Sequence, residues 1–118
     1  MAPLSDTHVE KLTADSRRLS AEEINALQAQ LPDWQVIEEG GENRLRRVFK
    51  FKDFSQALAF TAAVGKLAEQ QDHHPALLTE WGKVTVSWWT HKIGGLHRND
   101  FIMAAKTDQI YQKQSVIF

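Results

Sequence analysis

The chain has 118 residues, 42% hydrophobic and 25% charged, with a formal net charge of -1 and no cysteine. That length suits one domain able to bury its own core, and the near-neutral charge gives no global pull towards nucleic acid or anionic membrane. The missing thiols exclude a disulfide framework, a cysteine nucleophile and a thiolate metal site, and no apolar run approaches the roughly 20 residues of a membrane span. The N-terminus lacks the basic, apolar and small-residue order of a signal peptide, so a cytoplasmic protein is expected.

Residues 1–18 are polar and aperiodic and are expected to form a flexible tail ahead of one domain over residues 19–118. Ser20 and Glu23 make a capping box, with Leu19 and Ile24 at the staple positions, so a helix is predicted from there to Pro32. Trp34–Glu38 reads as a strand, Gly40–Gly41 as a turn, and 44–52 as a half-exposed strand with Leu45, Phe49 and Phe51 on one side and Arg47 intruding. Asp53 caps a second helix whose buried face is predicted to run through Phe54, Leu58, Thr61, Val64 or Gly65, and Ala68, ending before Pro75. Leu77–Trp81 and Lys83–His91 read as two strands about Gly82. Along the second, Val84, Val86 and Trp88 point one way, and Thr85, Ser87, Trp89 and His91 the other. A last helix is predicted from His97–Asp100 to about Gln112. The order predicts an α+β fold, a four-stranded antiparallel sheet with three helices on one face.

Three of the five histidines, His73, His74 and His91, lie within nineteen residues, with Glu69 and Asp72 beside the first two. A hairpin between 77–81 and 83–91 can return His91 close to residue 75, so a three-histidine cluster is expected. Imidazole suits proton transfer near neutral pH, its ordinary pKa being about 6.5, and a neighbouring carboxylate can orient a ring. Each histidine taken singly also reads as a polar surface or capping residue. Zinc is the competing chemistry, but the chain has no H-E-x-x-H helix, and adjacent residues on an extended segment point apart, so no metal is expected. No G-x-S-x-G elbow and no phosphate-binding glycine loop is present. The basic stretch Arg44–Lys52 reads either as a nucleic-acid contact or as a solvated strand face. Trp88 reads as core; Trp34, Trp81 and Trp89 read as packing or pocket wall.

The run Glu69-Gln70-Gln71-Asp72-His73-His74-Pro75, followed by Trp81, His91 and Asp100, resembles the motif of the pterin-4a-carbinolamine dehydratases. The resemblance extends over roughly residues 20–110. It implies dehydration of 4a-hydroxytetrahydropterin to quinonoid dihydropterin, which recycles the cofactor of aromatic amino-acid hydroxylases and uses no cofactor of its own. It further implies His73 and His91 as acid and base, with His74 binding and polarising the substrate and sharing in catalysis. Glu69, Asp72, Pro75, Trp89, Thr90, Lys92 and Asp100 would bind substrate or tune the histidines. Trp89, Lys92 and His97 depart from the family pattern, where a small, an acidic and a hydroxyl residue are usual; His97 reads as a helix cap. The expected partners are the pterin, a functionally coupled hydroxylase and further copies of the chain in a homodimer or homotetramer, with no direct nucleic-acid or membrane contact. Two other readings stay open: a protein-binding or transcriptional coactivator module of the same fold, and a protein acting on a molybdopterin-related compound.

Overall fold

The computed structural model describes residues 3–117, with side chains to Gln114. Among these it holds three α-helices and one four-stranded antiparallel sheet. In chain order they are α1 (Ala21–Gln28), β1 (Gln35–Glu39), β2 (Glu42–Lys50), α2 (Phe54–Gln71), β3 (Ala76–Glu80), β4 (Lys83–Trp88) and α3 (Arg98–Ile117). The fold is the predicted α+β class. The strand order is β1-β2-β4-β3, so the second hairpin inserts β4 beside β2 and leaves β3 on an edge.

Local chemistry explains the boundaries. The Ser20 hydroxyl accepts from the Glu23 amide and the Glu23 carboxylate accepts from the Ser20 amide, closing the capping box of α1. Asp53 caps α2 by accepting from the Gln56 amide. At Gly82 the chain turns with φ +76°, a conformation that suits glycine, and Phe51 N–H donates to the Gly82 carbonyl.

Leu45 and Phe49 of β2 and Val84, Val86 and Trp88 of β4 form the inner face of the sheet, all at most 1% exposed. Phe49 and Phe51 pack on Phe60 of α2 and Tyr111 of α3 at centroid distances of 4.8–5.4 Å. Arg47 intrudes on this face as the sequence suggested. Its guanidinium lies over Phe49 and pairs with Asp108 at 2.7 Å, while Trp34 Nε1–H donates to the same carboxylate. Burial pushes the Asp108 carboxyl above its ordinary value, against the opposing pull of Trp34 and Arg47.

Two expectations need correction. The buried stripe of α2 is Ala57, Phe60, Val64 and Ala68, whereas Phe54 and Leu58 are 44% and 52% exposed. Apolar residues lie on more than one side of this helix, so spacing alone fits two stripes; the fit of Phe60 against Phe49 and Phe51 selects one. The strand containing Val84 also ends at Trp88 rather than His91. Thr90 instead bridges Gly95, and His91–Ile93 form a short 3-10 turn.

Within the segment 1–18, expected to be a flexible tail, the described residues Leu4–Asp6 and Glu10 contact α3. Leu4 is buried, Lys106 Nζ donates to the Ser5 carbonyl, and Leu19 N–H donates to the Leu96 carbonyl.

Candidate active site

The histidine pair is set by how α2 ends. Asp72 takes the left-handed conformation, φ 50° and ψ 45°. Its N–H donates to the Glu69 carbonyl and the His73 N–H reaches back to Ala68. This is a Schellman motif with aspartate where glycine is usual. His73, the residue after the left-handed position, is only 6% exposed. The next residue, His74, faces outwards, and Pro75 leads into the edge strand β3.

His73 lies nearly parallel to Trp88, at 5.9 Å between centroids and 16° between planes. Its Nε2 is 2.7 Å from Oδ1 of Asp100. Asp100 is fully buried and accepts two further hydrogen bonds, from the Thr90 hydroxyl at 2.8 Å and the His97 backbone N–H at 2.9 Å. A carboxylate can only accept, so the hydrogen of a neutral His73 sits on Nε2 and Nδ1 is the nitrogen open to proton exchange. His97 Nδ1 in turn accepts from the Asn99 N–H at 3.0 Å. His97 and Asp100 are thus a reciprocal cap on α3, and one carboxylate both starts the helix and holds His73.

His74 Nε2 lies 2.5 Å from the Glu69 carboxylate, both exposed. His91 Nε2 lies 3.4 Å from the His74 carbonyl. The His91 ring packs on Trp89 at 4.3 Å, and the Arg44 guanidinium covers the Trp89 ring at 3.9 Å. Trp89 is therefore a buried support between the His91 imidazole and the Arg44 guanidinium rather than an open wall. The arrangement brings together one buried imidazole with a carboxylate and two exposed imidazoles within reach of solvent, which can deliver and take protons. Among the described residues no group of three or more histidine and acidic side chains converges to hold a metal ion.

A cavity of about 570 Å³ opens beside this cluster, lined by His73, Asp72, Gln71, Lys92, Asn99 and the segment Val9–Leu12. Its volume falls in the range of small-molecule sites. Of the candidate residues, Asp72, His73 and Lys92 line it, whereas His74, Trp89, Thr90 and His91 are not among its lining residues; Asp100 holds His73, and Thr90 holds Asp100. The N-terminal segment, Gln71 and Asn99 were missed. No periodicity or motif in the sequence ties residue 10 to residue 99. The stretch Arg44–Arg47 is held by carboxylates: Arg44 and Arg46 meet Glu39, and Arg47 meets Asp108.

Residues 17–110 match the family described as pterin 4 alpha carbinolamine dehydratase. The chain belongs to this family. A candidate pterin-4-alpha-carbinolamine dehydratase of Microcystis aeruginosa is 56% identical over 115 residues, spanning 98% of this chain and 99% of that one. Another, of Chlorobium limicola, is 63% identical over 94 residues, covering 80% and 83% of the two chains. Among solved structures, a transcriptional coactivator/pterin dehydratase from Brucella melitensis superposes with TM-score 0.72 at 38% identity, covering 79% of this chain and 97% of that one. A pterin dehydratase-like RuBisCO assembly factor of the alpha-carboxysome shares the fold, with TM-score 0.57 at 21% identity over 67% of this chain and 89% of that one.

Proposed function

We propose that this member of the pterin dehydratase family converts 4a-hydroxytetrahydrobiopterin into quinonoid dihydropterin and water. The supporting observation is the buried His73–Asp100 pair, whose histidine lines a ligand-sized cavity, with His74 next in the chain and His91 3.4 Å from the His74 carbonyl. The reaction breaks the C4a–O and N5–H bonds. A proton joins the departing hydroxyl to give water, the N5 proton passes to a base, and the N5–H electron pair becomes the C4a=N5 double bond. One imidazole as acid and another as base supply both transfers, and His73 and His91 take these roles. His74, oriented by Glu69, binds and polarises the pterin and shares in the proton traffic. Asp72 and Lys92 offer polar groups to the ring system, and Asp100 with Thr90 positions His73. Pro75 fixes the direction in which His74 leaves the helix end. No cofactor is required.

In the cell the reaction would return pterin to an aromatic amino-acid hydroxylase, in the cytoplasm, with the protein as a homodimer or homotetramer. Among the described residues no helix is long and apolar enough to cross a membrane. Stopped-flow absorbance of 4a-hydroxytetrahydropterin decay tests the reading. Acceleration proportional to protein concentration is expected; none, from folded protein, would overturn it.

A second reading, a protein-binding or coactivator module, is favoured by one feature. Phe54 and Leu58 stand exposed on α2 and Leu78 and Trp81 around β3, at 44–73% exposure.

A further inference from the structure

The structure assigns the N-terminal segment a part in the site: we propose that Val9–Leu12 form the wall that reads the side chain carried by the pterin at C6. This rests on the dehydratase reading. The cavity has two sides of different origin. One comes from the end of α2, the turn after β4 and the start of α3, through Asp72, His73, Lys92 and Asn99; the other is Val9, Glu10, Lys11 and Leu12.

That second side is anchored. The Asn99 side chain, fully buried, accepts from the Glu10 N–H at 2.8 Å and donates to the Glu10 carbonyl at 2.8 Å. A buried amide satisfied by one backbone residue fixes that residue's position and orientation, because letting go would leave both partners unpaired. Leu4 in the core and the Lys106–Ser5 hydrogen bond hold the chain before it, and the Leu19–Leu96 hydrogen bond holds the chain after it. Asn99 precedes Asp100, so the first turn of α3 carries both the anchor of this wall and the carboxylate that holds His73.

The chemistry of the wall suits recognition of a substituent. Val9 and Leu12 are half-buried and apolar. Lys11 and Lys92 enter no hydrogen bond or ion pair among the described residues, and both line the cavity, so their ammonium groups are free to meet hydroxyl oxygens. The Glu10 carboxylate turns to His97, at 3.8 Å. If His73 exchanges a proton at the C4a–N5 edge, the substituent on C6 leaves the ring beside that edge. A cavity of this volume has room for more than the two fused rings. The wall lies ahead of residues 17–110 that carry the family match, so it adds selectivity to chemistry built elsewhere.

The test compares kcat/KM for two substrates, the 4a-hydroxy forms of tetrahydrobiopterin, with its dihydroxypropyl chain, and of 6-methyltetrahydropterin. In the variant V9A/K11A/L12A the ratio of the first to the second is expected to fall about ten-fold, the scale of a few lost side-chain contacts. An unchanged ratio, including an equal fall on both substrates, would overturn the proposal, because a merely structural role lowers both alike. Lys11→Ala alone, at an exposed position, gives the same comparison if the triple variant fails to fold, with a smaller fall expected. Wild-type protein that dehydrates neither substrate overturns the dehydratase reading and this inference together; wild-type protein that dehydrates both, with a ratio the variants leave untouched, overturns this inference alone.

Discussion

His73 is where position does most to set chemistry. Adjacent in sequence to His74, it is buried, stacked on Trp88 and tied to Asp100, while His74 is exposed and tied to Glu69. The pair is legible in the sequence; its division into an inner and an outer imidazole is not. Replacing His73 and His91 together by alanine is expected to lower kcat by about 10³-fold, within the range for lost proton transfer, with unchanged circular dichroism. Stopped-flow rates on the purified variant would show it, and an unaltered kcat would remove these residues from acid and base roles. Asp108 offers a test unconnected with catalysis. Its folded pKa is raised by burial, so at low pH it is protonated in both folded and unfolded chains. As pH rises through the unfolded value of about 3.9, the unfolded chain ionises first and stability is lost until the folded value is passed. Asparagine does not titrate. Relative to Asp108→Asn, wild type is therefore expected to lose thermal stability as pH rises above the unfolded carboxyl's value, read as the difference between their melting temperatures at each pH.

At the scale of elements, the capping signals of α1 and α2 were open to reading because a cap involves residues only three apart. Ser20→Ala is expected to cost about 1 kcal/mol in chemical denaturation. The end of α2 carries a different lesson. Asp72 occupies a left-handed position that costs a non-glycine residue roughly 1 kcal/mol, and it lines the cavity. Asp72→Gly is expected to leave stability unchanged or raise it by up to about 1 kcal/mol while raising KM for the pterin. A rise in stability with no change in KM would mean that the aspartate side chain does not serve the site. The face of α2 went the other way. Phe54 and Leu58 fitted the helical period as well as Ala57 and Phe60, and only the aromatic contact with β2 distinguishes the two stripes.

For the whole molecule, the sheet shows why the site forms where it does. Inserting β4 between β2 and β3 sets Trp88 opposite Leu45 and Ser87 opposite Ala76, so the end of β4 arrives beside the chain leaving His74–Pro75. Exposed Phe54, Leu58, Leu78 and Trp81, together with the open edge of β3, are surfaces that self-association would cover. Sedimentation equilibrium is expected to give a mass of two or four chains; a monomer at micromolar concentration would count against the homo-oligomer. Dehydratase activity is expected to survive exhaustive chelation, since the proposed roles fall to imidazoles and carboxylates. Loss restored by added zinc would assign the chemistry to a metal.

The sequence by itself determined the α+β order, the capped helix starts, the Asp72-His73-His74-Pro75 turn and the family, because each is written in spacings of a few residues or in a motif. Tertiary structure decided the rest. It chose the buried face of α2, ended β4 before His91 and gave one carboxylate, Asp100, to His73, Thr90 and the first turn of α3 at once. It also laid residues 9–12 against the cavity through Asn99, a pairing across 89 positions. Such a contact joins groups that share no period and no local signal; what fixes it is the cost of leaving a buried amide unpaired, and that cost exists only once the chain has folded around it.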